Sequence, residues 1–415
     1  MKITHVDTFS MRPKSLIHEG RIGWTWVRIH TDEGIVGTGE TWPTPETETA
    51  AIHTIFAPLL LGENPLEIER LWHTLFLKVQ YAGWAGAEMR ALSAIDIALW
   101  DILGKAANQP VYQLLGGKVR DRIRTYNTCY DNEYNFATDA DKLARSLLRM
   151  GIRAMKIATF DEAARENKGN FITREQMNRA LEPVRKIREA VGDEMGIMME
   201  FHGLWNLTTA VEIAKALEPY NMTWLEEMIP QDNLDAYRVL RERVSQPLTI
   251  SERLFGRWQY ADLLKKDAAS FVMMDLAWGG GITEARKVAI LADTHYLPLV
   301  PHNCGGPIFQ AANLHLSAHI PNLYILESVR RHYQDEFPHI VTNVMTPGLD
   351  GSFPLPEGPG LGIELKPEML ERADVMGSES KGTSRTTGGF RRSIWGPAQK
   401  KRASKGTRTK RNRAR

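Results

Sequence analysis

The sequence predicts an α/β fold in which a closed (β/α) barrel follows an N-terminal α+β module. After Arg124, short apolar strands alternate with amphipathic helices, which is the pattern of βα units around parallel strands. The strands are apolar along nearly their whole length, so both of their faces are expected to be buried. Seven or eight such units occupy roughly 225 residues, and this density favours a closed barrel over an open sheet.

The predicted barrel strands are "AMKIA", "GIMME", "TWLE", "LTIS", "FVMMD", "LPLVP" and "LYILE". The α+β module is predicted for residues 1–122, with strands in residues 1–60 and a helical apolar pattern from residue 67 to about 104. The barrel is predicted for residues 123–349. Residues 350–376 contain no βα unit and are predicted to return to the first module.

Residues 377–415 are predicted to form a disordered basic tail. From Lys381 onward the chain has 13 Lys and Arg residues and no acidic residue. Residues 1–380 therefore hold 39 of the 52 basic residues against all 50 acidic ones, a net charge of −11. The tail is either an arm for nucleic acid or an anionic surface, or an appendage without a part in the chemistry. The acidic body argues against nucleic acid as the main partner.

The composition is that of a soluble globular protein, with 43% hydrophobic and 25% charged residues. Two cysteines, Cys129 and Cys304, are too few for a disulfide framework and suit a reducing compartment. The sequence has no apolar run of about 18 residues, and its N-terminus lacks the apolar core of a signal peptide. We therefore expect a cytoplasmic protein that does not span a membrane.

A polar residue recurs where each predicted strand ends, at intervals of about one βα unit. These residues are Glu200, Glu226, Glu252, Asp275, His302 and Glu327. In a barrel such positions converge on one face, where barrel enzymes have their active sites. "IMMEFHGLWN" adds His202, two residues after Glu200.

Three of these residues predict a metal site. Glu200, Glu226 and Glu252 come from adjacent strands and supply only hard oxygen ligands. Converging carboxylates would repel one another and raise their own pKa values unless a cation lies among them. Mg²⁺, one per chain, is the expected ion.

The neighbouring positions predict proton transfer. Asp275 beside His302 would fix the tautomer of the imidazole and make it a competent general base. His202 is either an acid toward a leaving group or a structural hydrogen-bond partner.

Together these residues resemble the enolase superfamily, and within it the mandelate racemase subgroup. The resemblance covers about residues 1–376 and includes "WLEEM" and "LGIEL". It implies a (β/α)7β TIM-like barrel whose α+β capping domain is completed by a C-terminal segment. It also implies Mg²⁺ at Glu200, Glu226 and Glu252, a dyad of His302 and Asp275, removal of a proton α to a carboxylate, and a homo-oligomer, commonly a dimer or octamer.

One departure from the family narrows the reaction. Many relatives have Lys-x-Lys after the second strand, but here Lys156 is followed by Ile157 and Ala158. Alanine cannot transfer a proton, so racemisation by two bases is disfavoured. The remaining set resembles acid-sugar dehydratases of the galactonate dehydratase type. His302 would take the α-proton, His202 would protonate the departing hydroxide, and Lys156 and Glu327 would contact the substrate carboxylate and the enediolate.

The candidates for substrate binding rest on location. Arg253 and Glu227 adjoin the metal ligands, and Arg253 either contacts the substrate or balances the charge of the carboxylates. His18, Arg21, Trp24 and Trp42 belong to the two loops that resemble the substrate-covering loops of the family. The sequence does not specify which sugar acid fits.

Of three rival functions, the sequence leaves the first open and argues against the other two. An epimerase or cycloisomerase would use the same enediolate without loss of water. A non-catalytic sugar-acid-binding protein is conceivable because the second lysine is missing, although the retained ligands argue against it. A glycosidase is disfavoured, because Glu226 and Glu227 are adjacent on a strand and cannot flank one bond.

Overall fold

The computed structural model describes residues 1–12 and 22–382 and the backbone of residues 391–392. Its strands are β1 (Ile3–Met11), β2 (Trp24–Thr31), β3 (Val36–Thr41), β4 (Arg122–Thr128), β5 (Ala154–Ile157), β6 (Gly196–Glu200), β7 (Trp224–Glu226), β8 (Leu248–Ile250), β9 (Phe271–Met274), β10 (Leu299–Pro301), β11 (Leu326–Ser328), β12 (Ser352–Pro354), β13 (Met376–Lys381) and β14 (Arg391–Arg392).

Its α-helices are α1 (Pro45–Ala51), α2 (Ala57–Leu60), α3 (Ile68–Gln80), α4 (Ala87–Ala107), α5 (Val111–Leu115), α6 (Ala140–Arg149), α7 (Asp161–Asn167), α8 (Arg174–Val191), α9 (Leu207–Leu217), α10 (Leu234–Arg243), α11 (Gly256–Lys265), α12 (Leu276–Gly279), α13 (Gly281–Thr294), α14 (Pro307–His319) and α15 (Pro367–Leu370). Short π-helical or 3₁₀ turns cover Ile52–Phe56, Gly192–Glu194, Glu218–Tyr220, His332–Glu336 and Phe337–His339.

Strands β4 to β11 form a parallel barrel. Each pairs with the next from β4 to β10, and β11 pairs with β4. The ring closes between β10 and the segment before β11. The Leu299 N–H donates to the Asn322 carbonyl (2.8 Å), and the Leu299 carbonyl accepts the Tyr324 N–H (2.9 Å). Helices follow the first seven strands and β11 ends the series, which confirms the (β/α)7β architecture.

The N-terminal module is an antiparallel sheet covered by helices, in the order β14-β13-β1-β2-β3. Helix α4 crosses β3 so closely that a Cβ on Gly39 would lie 1.9 Å from the Ala94 carbonyl oxygen, which explains the glycine. The prediction of strands up to residue 60 is wrong after residue 44, where α1, a π-helical turn and α2 follow one another.

The C-terminal segment contacts both domains. Strand β12 pairs with barrel strand β4, and the Leu361 N–H donates to Asp101 in α4 (2.8 Å). Strand β13 then pairs with β1 in the cap sheet. The predicted start of a disordered tail at residue 377 is therefore wrong for residues 377–381. The rest of the predicted tail, except Gly382 and the two backbone residues of β14, lies outside the described residues.

Buried polar contacts hold the cap over the C-terminal ends of the barrel strands. Glu40 of β3 is fully buried, and its carboxylate accepts the backbone N–H groups of Ile308 (3.0 Å) and Phe309 (3.3 Å) at the start of α14. Trp72 of α3 donates to the Gly280 carbonyl (2.8 Å). These contacts fix the cap above the ring of polar residues. In the parts of the chain that the model describes, no helix has both the length and the apolar character required to cross a bilayer.

Candidate active site

The alternation of side chains along the strands brings the predicted residues together. The barrel interior is filled by Tyr126, Ala154, Met198, Trp224, Met273, Val300 and Ile325. Because every second residue of a strand points to the same face, the position two residues further along also points into the barrel, at its C-terminal end. These positions are held by Thr128, Lys156, Glu200, Glu226, Asp275, His302 and Glu327.

A cavity of about 440 Å³ opens above these residues. It is lined by Ile22, Trp42, Thr128, Cys129, Tyr130, Phe136, Lys156, Ile157, Ala158, Arg165, Glu200, His202, Leu204, Glu252, Arg253, Trp278, His302, Cys304 and His332. Its size is within the range of pockets for small molecules. Ala158, where many relatives have the second lysine, faces this cavity.

Lys156 is the centre of a buried carboxylate cluster. Its Nζ is 2.9 Å from Glu327 Oε1 and 3.3 Å from Glu200 Oε2, and it also donates to Glu226. Burial opposes the charge of Lys156, but Glu226 and Glu327 raise its pKa well above the usual value. Lys156 therefore supplies positive charge to the cluster, in addition to the metal ion that the sequence predicts there.

His302, which is buried but reaches the cavity, forms a pair with the fully buried Asp275. Its Nδ1 is 2.8 Å from Asp275 Oδ2, and Asp275 Oδ1 accepts the backbone N–H of Ala277 (2.7 Å) at the start of α12. With Nδ1–H donating to the carboxylate, Nε2 is left to face Glu327 Oε2 at 3.5 Å. Burial opposes the charge on His302, but Glu327, Cys304 and Asp275 raise its pKa well above the usual value.

His202 forms a second pair, with Asp161, which the sequence analysis missed. Its Nδ1 is 2.7 Å from Asp161 Oδ2, and its side chain is 31% exposed where His302 is 7% exposed. Burial opposes the charge on His202, but Glu200 and Asp161 raise its pKa. No sequence signal marked Asp161, because it is the first residue of α7 and not a strand end.

The backbone after β6 accommodates a glutamate at position 200. His202 has a φ of 50°, in the left-handed region, and this turn folds its N–H back onto Glu200 Oε1 (2.7 Å). The Phe201 N–H donates to the same oxygen (3.0 Å). Burial opposes ionisation of Glu200, but the charges of His202 and Lys156 lower its pKa.

The donor set of the three predicted metal ligands fits Mg²⁺. Glu200 and Glu226 lie within hydrogen-bonding distance of each other, and burial and the Glu200 charge raise the pKa of Glu226. Glu252 lines the cavity, and its Oε2 is buried without a hydrogen-bond partner among the described residues. Carboxylate oxygens of this kind are ligands suited to a hard cation such as Mg²⁺. However, within the described part of the chain, the ligand oxygens of these three glutamates do not all lie within 4.8 Å of one another.

Two residues predicted to bind substrate do not reach the cavity. Glu227 is fully buried and bonded to Ser251 and Arg253 (Arg253 Nε, 3.0 Å), because it follows Glu226 directly and turns away from the barrel interior. Trp24 is fully buried in β2, where its ring packs edge-on against His332 at 5.4 Å. Both assignments are wrong.

The other substrate-binding candidates have different outcomes. Trp42 lines the cavity, and its ring stacks on His302 with centroids 5.8 Å apart. Arg253 also lines the cavity and donates to the His202 carbonyl (3.0 Å). His18 and Arg21 lie outside the described residues. Glu327 is fully buried beneath the cavity. It contacts Lys156 and His302, which both line the cavity.

Other cavity residues were missed although one of them left a signal. Thr128 ends β4 and precedes Lys156 by about one βα unit, so it could have been found by extending the series backward. Trp278 and His332 reach the cavity from segments beyond the strand ends, and no spacing marked them.

Comparisons with known proteins agree on the family. The model of the enolase C-terminal domain-like family matches residues 139–369, and that of the mandelate racemase / muconate lactonizing enzyme N-terminal domain matches residues 15–116. A D-xylonate dehydratase from Haloferax volcanii is 33% identical over 368 residues, covering 86% of this chain and 87% of that protein. A D-galactonate dehydratase from Xanthomonas oryzae pv. oryzae is 33% identical over 383 residues, covering 90% and 94%.

Two solved structures of enolases are similar to this chain over most of its length. The crystal structure of an enolase of the mandelate racemase subgroup from Agrobacterium tumefaciens has a TM-score of 0.85 and 44% sequence identity. It covers 92% of this chain and 100% of that chain. An enolase protein from the Sargasso Sea environmental genome has a TM-score of 0.83 at 36% identity, with 92% and 99% covered.

Proposed function

The chain belongs to the mandelate racemase / muconate lactonizing enzyme family of the enolase superfamily, and we propose that it is a magnesium-dependent acid-sugar dehydratase. Its substrate is an aldonate or aldarate resembling xylonate or galactonate, the acids named for its relatives. The reaction is a hydro-lyase reaction that yields a 2-keto-3-deoxy sugar acid. The observation that carries the proposal is that one cavity is lined by two imidazoles, His302 and His202, each paired with its own carboxylate.

The first step is removal of the proton α to the substrate carboxylate. In its neutral form, which becomes populated as the pH rises through its raised pKa, His302 takes this proton at Nε2. Nδ1–H continues to donate to Asp275, whose carboxylate balances the imidazolium. The electron pair of the broken C–H bond moves toward the substrate carboxylate. Such a proton is very weakly acidic, so the site must stabilise the negative charge that develops.

The second step is loss of the β-hydroxyl group. The C–O bond breaks as the electron pair returns toward the α and β carbons, and His202 donates its proton so that hydroxide leaves as water. The pKa of His202 is raised by Glu200 and Asp161 against the effect of burial, which keeps the acid form available. The enol that remains takes a proton at the β carbon and becomes the 2-keto-3-deoxy acid.

Three carboxylates would hold the magnesium ion: Glu200, Glu226 and Glu252. When bound, Mg²⁺ would neutralise part of the charge on the substrate carboxylate. Lys156 adds positive charge from below, since it is 4% exposed and lines the cavity. Glu327 acts through Lys156 and His302 and does not contact the substrate.

The cap closes the site and contributes to the choice of substrate. Trp42 covers His302 with its ring, and its carbonyl accepts the Trp278 indole N–H (2.8 Å). The interlocked rings exclude water from the base and present an apolar wall to the sugar acid. Arg253, which lines the cavity beside Glu252, presents a cation to substrate oxygens. The chain is expected to work as a homo-oligomer, with a dimer or octamer as the sizes to test.

The epimerase or cycloisomerase is the competing function, because it shares the first step. It is disfavoured by Ala158, which faces the cavity where a second base would stand. Dehydration, in contrast, uses the two carboxylate-paired imidazoles of the cavity, His302 and His202.

The test is a substrate screen with magnesium present. The full chain is incubated with C5 and C6 aldonic and aldaric acids, including D-xylonate and D-galactonate, and mass spectrometry follows loss of water. We expect one or a few acids to lose one water, and His302→Asn to abolish the reaction. His73→Asn, on the exposed face of α3, is the matched control and should retain it. A reaction that exchanges the α-proton without any loss of water from any acid would contradict the dehydratase.

A further inference from the structure

The loop after β10 and the end of β11 form a second group of possible metal ligands. The ligand atoms of His302, Cys304 and Glu327 all lie within 4.8 Å of one another. We propose that this group binds a thiophilic divalent ion of the Zn²⁺ class, separately from the all-oxygen magnesium site. The bound ion would occupy His302 Nε2 and so inhibit the enzyme; this consequence rests on the proposed function.

The distance between two of the ligands already suits a zinc ion. His302 Nε2 and Glu327 Oε2 are 3.5 Å apart. Zinc binds imidazole nitrogen and carboxylate oxygen at about 2.0–2.2 Å, and at a tetrahedral angle two such ligands are separated by roughly 3.4 Å. This edge of the coordination polyhedron is therefore present before any ion binds.

The partners of these ligands fix their orientation. Asp275 holds His302 Nδ1 (2.8 Å), which directs Nε2 toward Glu327; a carboxylate behind a histidine is the usual support of a zinc-bound imidazole. Glu327 Oε2 also accepts the Asn303 N–H (2.9 Å), and its Oε1 is held by Lys156 (2.9 Å). Both ligands are thus positioned by neighbours that an ion at Nε2 and Oε2 would not displace.

Cys304 supplies the chemical selectivity. Its thiol hydrogen-bonds to His302, and a soft sulfur ligand prefers Zn²⁺ to Mg²⁺. Cys304 and His302 both line the cavity, so an ion can enter from it and a fourth ligand, water or a substrate oxygen, can bind from that side.

The other cluster of this kind is a weaker candidate. His5, Asp7 and His30 on the cap sheet also lie within 4.8 Å of one another, within the described chain. However, Arg28 donates to both oxygens of Asp7, at 2.9 and 2.7 Å, so a cation there would face a guanidinium charge. At the His302 group the Lys156 ammonium contacts Glu327 Oε1 (2.9 Å), but Glu327 Oε2, the oxygen that faces His302 Nε2, has no Lys or Arg partner among the described residues.

In the experiment, bound metal is first removed from the full chain and excess Mg²⁺ is added. The protein is then titrated with Co²⁺ and afterwards with Zn²⁺. Cobalt bound to a thiolate has a sulfur-to-metal charge-transfer band in the near ultraviolet. We expect this band to develop with one equivalent of Co²⁺ and to disappear when Zn²⁺ displaces it. Because the band is read in the wild-type chain, the result does not depend on a variant that folds poorly.

Two cysteine variants assign the band. Cys304→Ser should abolish it and weaken Zn²⁺ binding by more than about tenfold. Cys129→Ser removes the other thiol, which is buried and donates to the Asn127 carbonyl, and should leave the band intact. Absence of the band from the wild-type chain, or its persistence in Cys304→Ser, would overturn the proposed site.

The inhibition is tested separately on turnover. Zn²⁺ should slow dehydration by the wild-type chain at concentrations that saturate the cobalt-sensitive site, and Cys304→Ser should require more than about tenfold higher Zn²⁺ for the same fractional loss. Equal sensitivity of the two proteins would refute inhibition through this site. A chain with the band but without dehydratase activity would retain the metal site and instead contradict the proposed function.

Discussion

The two imidazole–carboxylate pairs of the cavity have nearly the same geometry but different surroundings. His302–Asp275 and His202–Asp161 are joined at 2.8 and 2.7 Å. Asp275 is fully buried and also caps α12, whereas Asp161 is 10% exposed and shared with Arg165, at 2.9 Å. A buried pair whose carboxylate also accepts a backbone N–H suits a base that must meet one C–H bond. A pair closer to solvent suits an acid that must regain its proton in every cycle.

The groups that raise the pKa of the histidine also differ between the two pairs. The pKa of His302 is raised by Glu327, Cys304 and Asp275, and that of His202 by Glu200 and Asp161; burial opposes the shift in both. His302 thus takes a proton within a closed network. His202 lies next to a proposed metal ligand, so its acid strength is tied to the metal site.

The largest effect is expected for His302→Asn. Without Nε2 as a base neither the exchange of the α-proton nor the loss of water can begin, and both rates should fall by about 10³-fold or more. Deuterium uptake and water loss are measured together in D₂O with the acid found in the screen. Retention of exchange at the wild-type rate would assign the base to another residue.

His202→Asn should break the symmetry between the pairs. Water loss should fall by about 10²–10³-fold, because the hydroxide has no proton donor, while exchange of the α-proton by His302 continues. The same D₂O measurement provides the ratio of the two rates. Equal losses of both rates would mean that His202 supports the site only structurally.

Removing the carboxylate partner of each histidine should lower turnover by different amounts. Asp275→Asn is expected to lower turnover by about 100-fold because the tautomer and orientation of His302 depend on it. Asp161→Asn should lower turnover by about tenfold, since His202 is 31% exposed and solvent screens part of its interaction with Asp161. Steady-state kinetics on both variants, with circular dichroism to verify folding, checks the order. A greater loss in Asp161→Asn would reverse the assignment of roles.

The pH profile sharpens this comparison. His202 must be protonated to act as an acid, so dehydration should be lost as the pH rises through its pKa. Asp161 raises that pKa, and Asp161→Asn should therefore lower it and move the alkaline limb of the profile to lower pH. An unchanged alkaline limb would show that another group supplies the proton.

The smallest effect is expected for Arg165→Gln. Arg165 is 57% exposed and pairs with Asp161, and exposed ion pairs contribute less than about 1 kcal/mol, so turnover should change by less than about fivefold. Arg185→Gln removes a similar exposed ion pair on α8 and is the control. A large effect confined to Arg165→Gln would mean that this guanidinium binds the substrate.

The sequence predicted the barrel and the ring of polar residues because both depend on regular repeats. A βα unit places each strand end at the same level, and the two-residue period then fixes which side chains point inward, as for Glu200 and His302. Asp161 could not be predicted, since it reaches His202 from a helix start whose position depends on the loop before it.

The wrong assignments have equally specific causes. Trp24 belongs to a segment that resembles a substrate-covering loop of the family, but it begins β2, whose first four residues are all buried. Glu227 is the neighbour of Glu226, but it follows the end of β7 with a φ of 44°, in the left-handed region, and its carboxylate pairs with Ser251 and Arg253 instead of lining the cavity. The position of Lys156 among three carboxylates depends on side chains from separate strands, which the linear sequence does not bring together.

The most direct test of the two-imidazole account is the ratio of deuterium uptake to water loss in His202→Asn, measured in D₂O with magnesium and the acid that the wild-type chain dehydrates. The account predicts uptake of one deuterium at the α carbon of the recovered acid with little keto product. Dehydration at the wild-type rate, or loss of both exchange and dehydration in a folded protein, would contradict it.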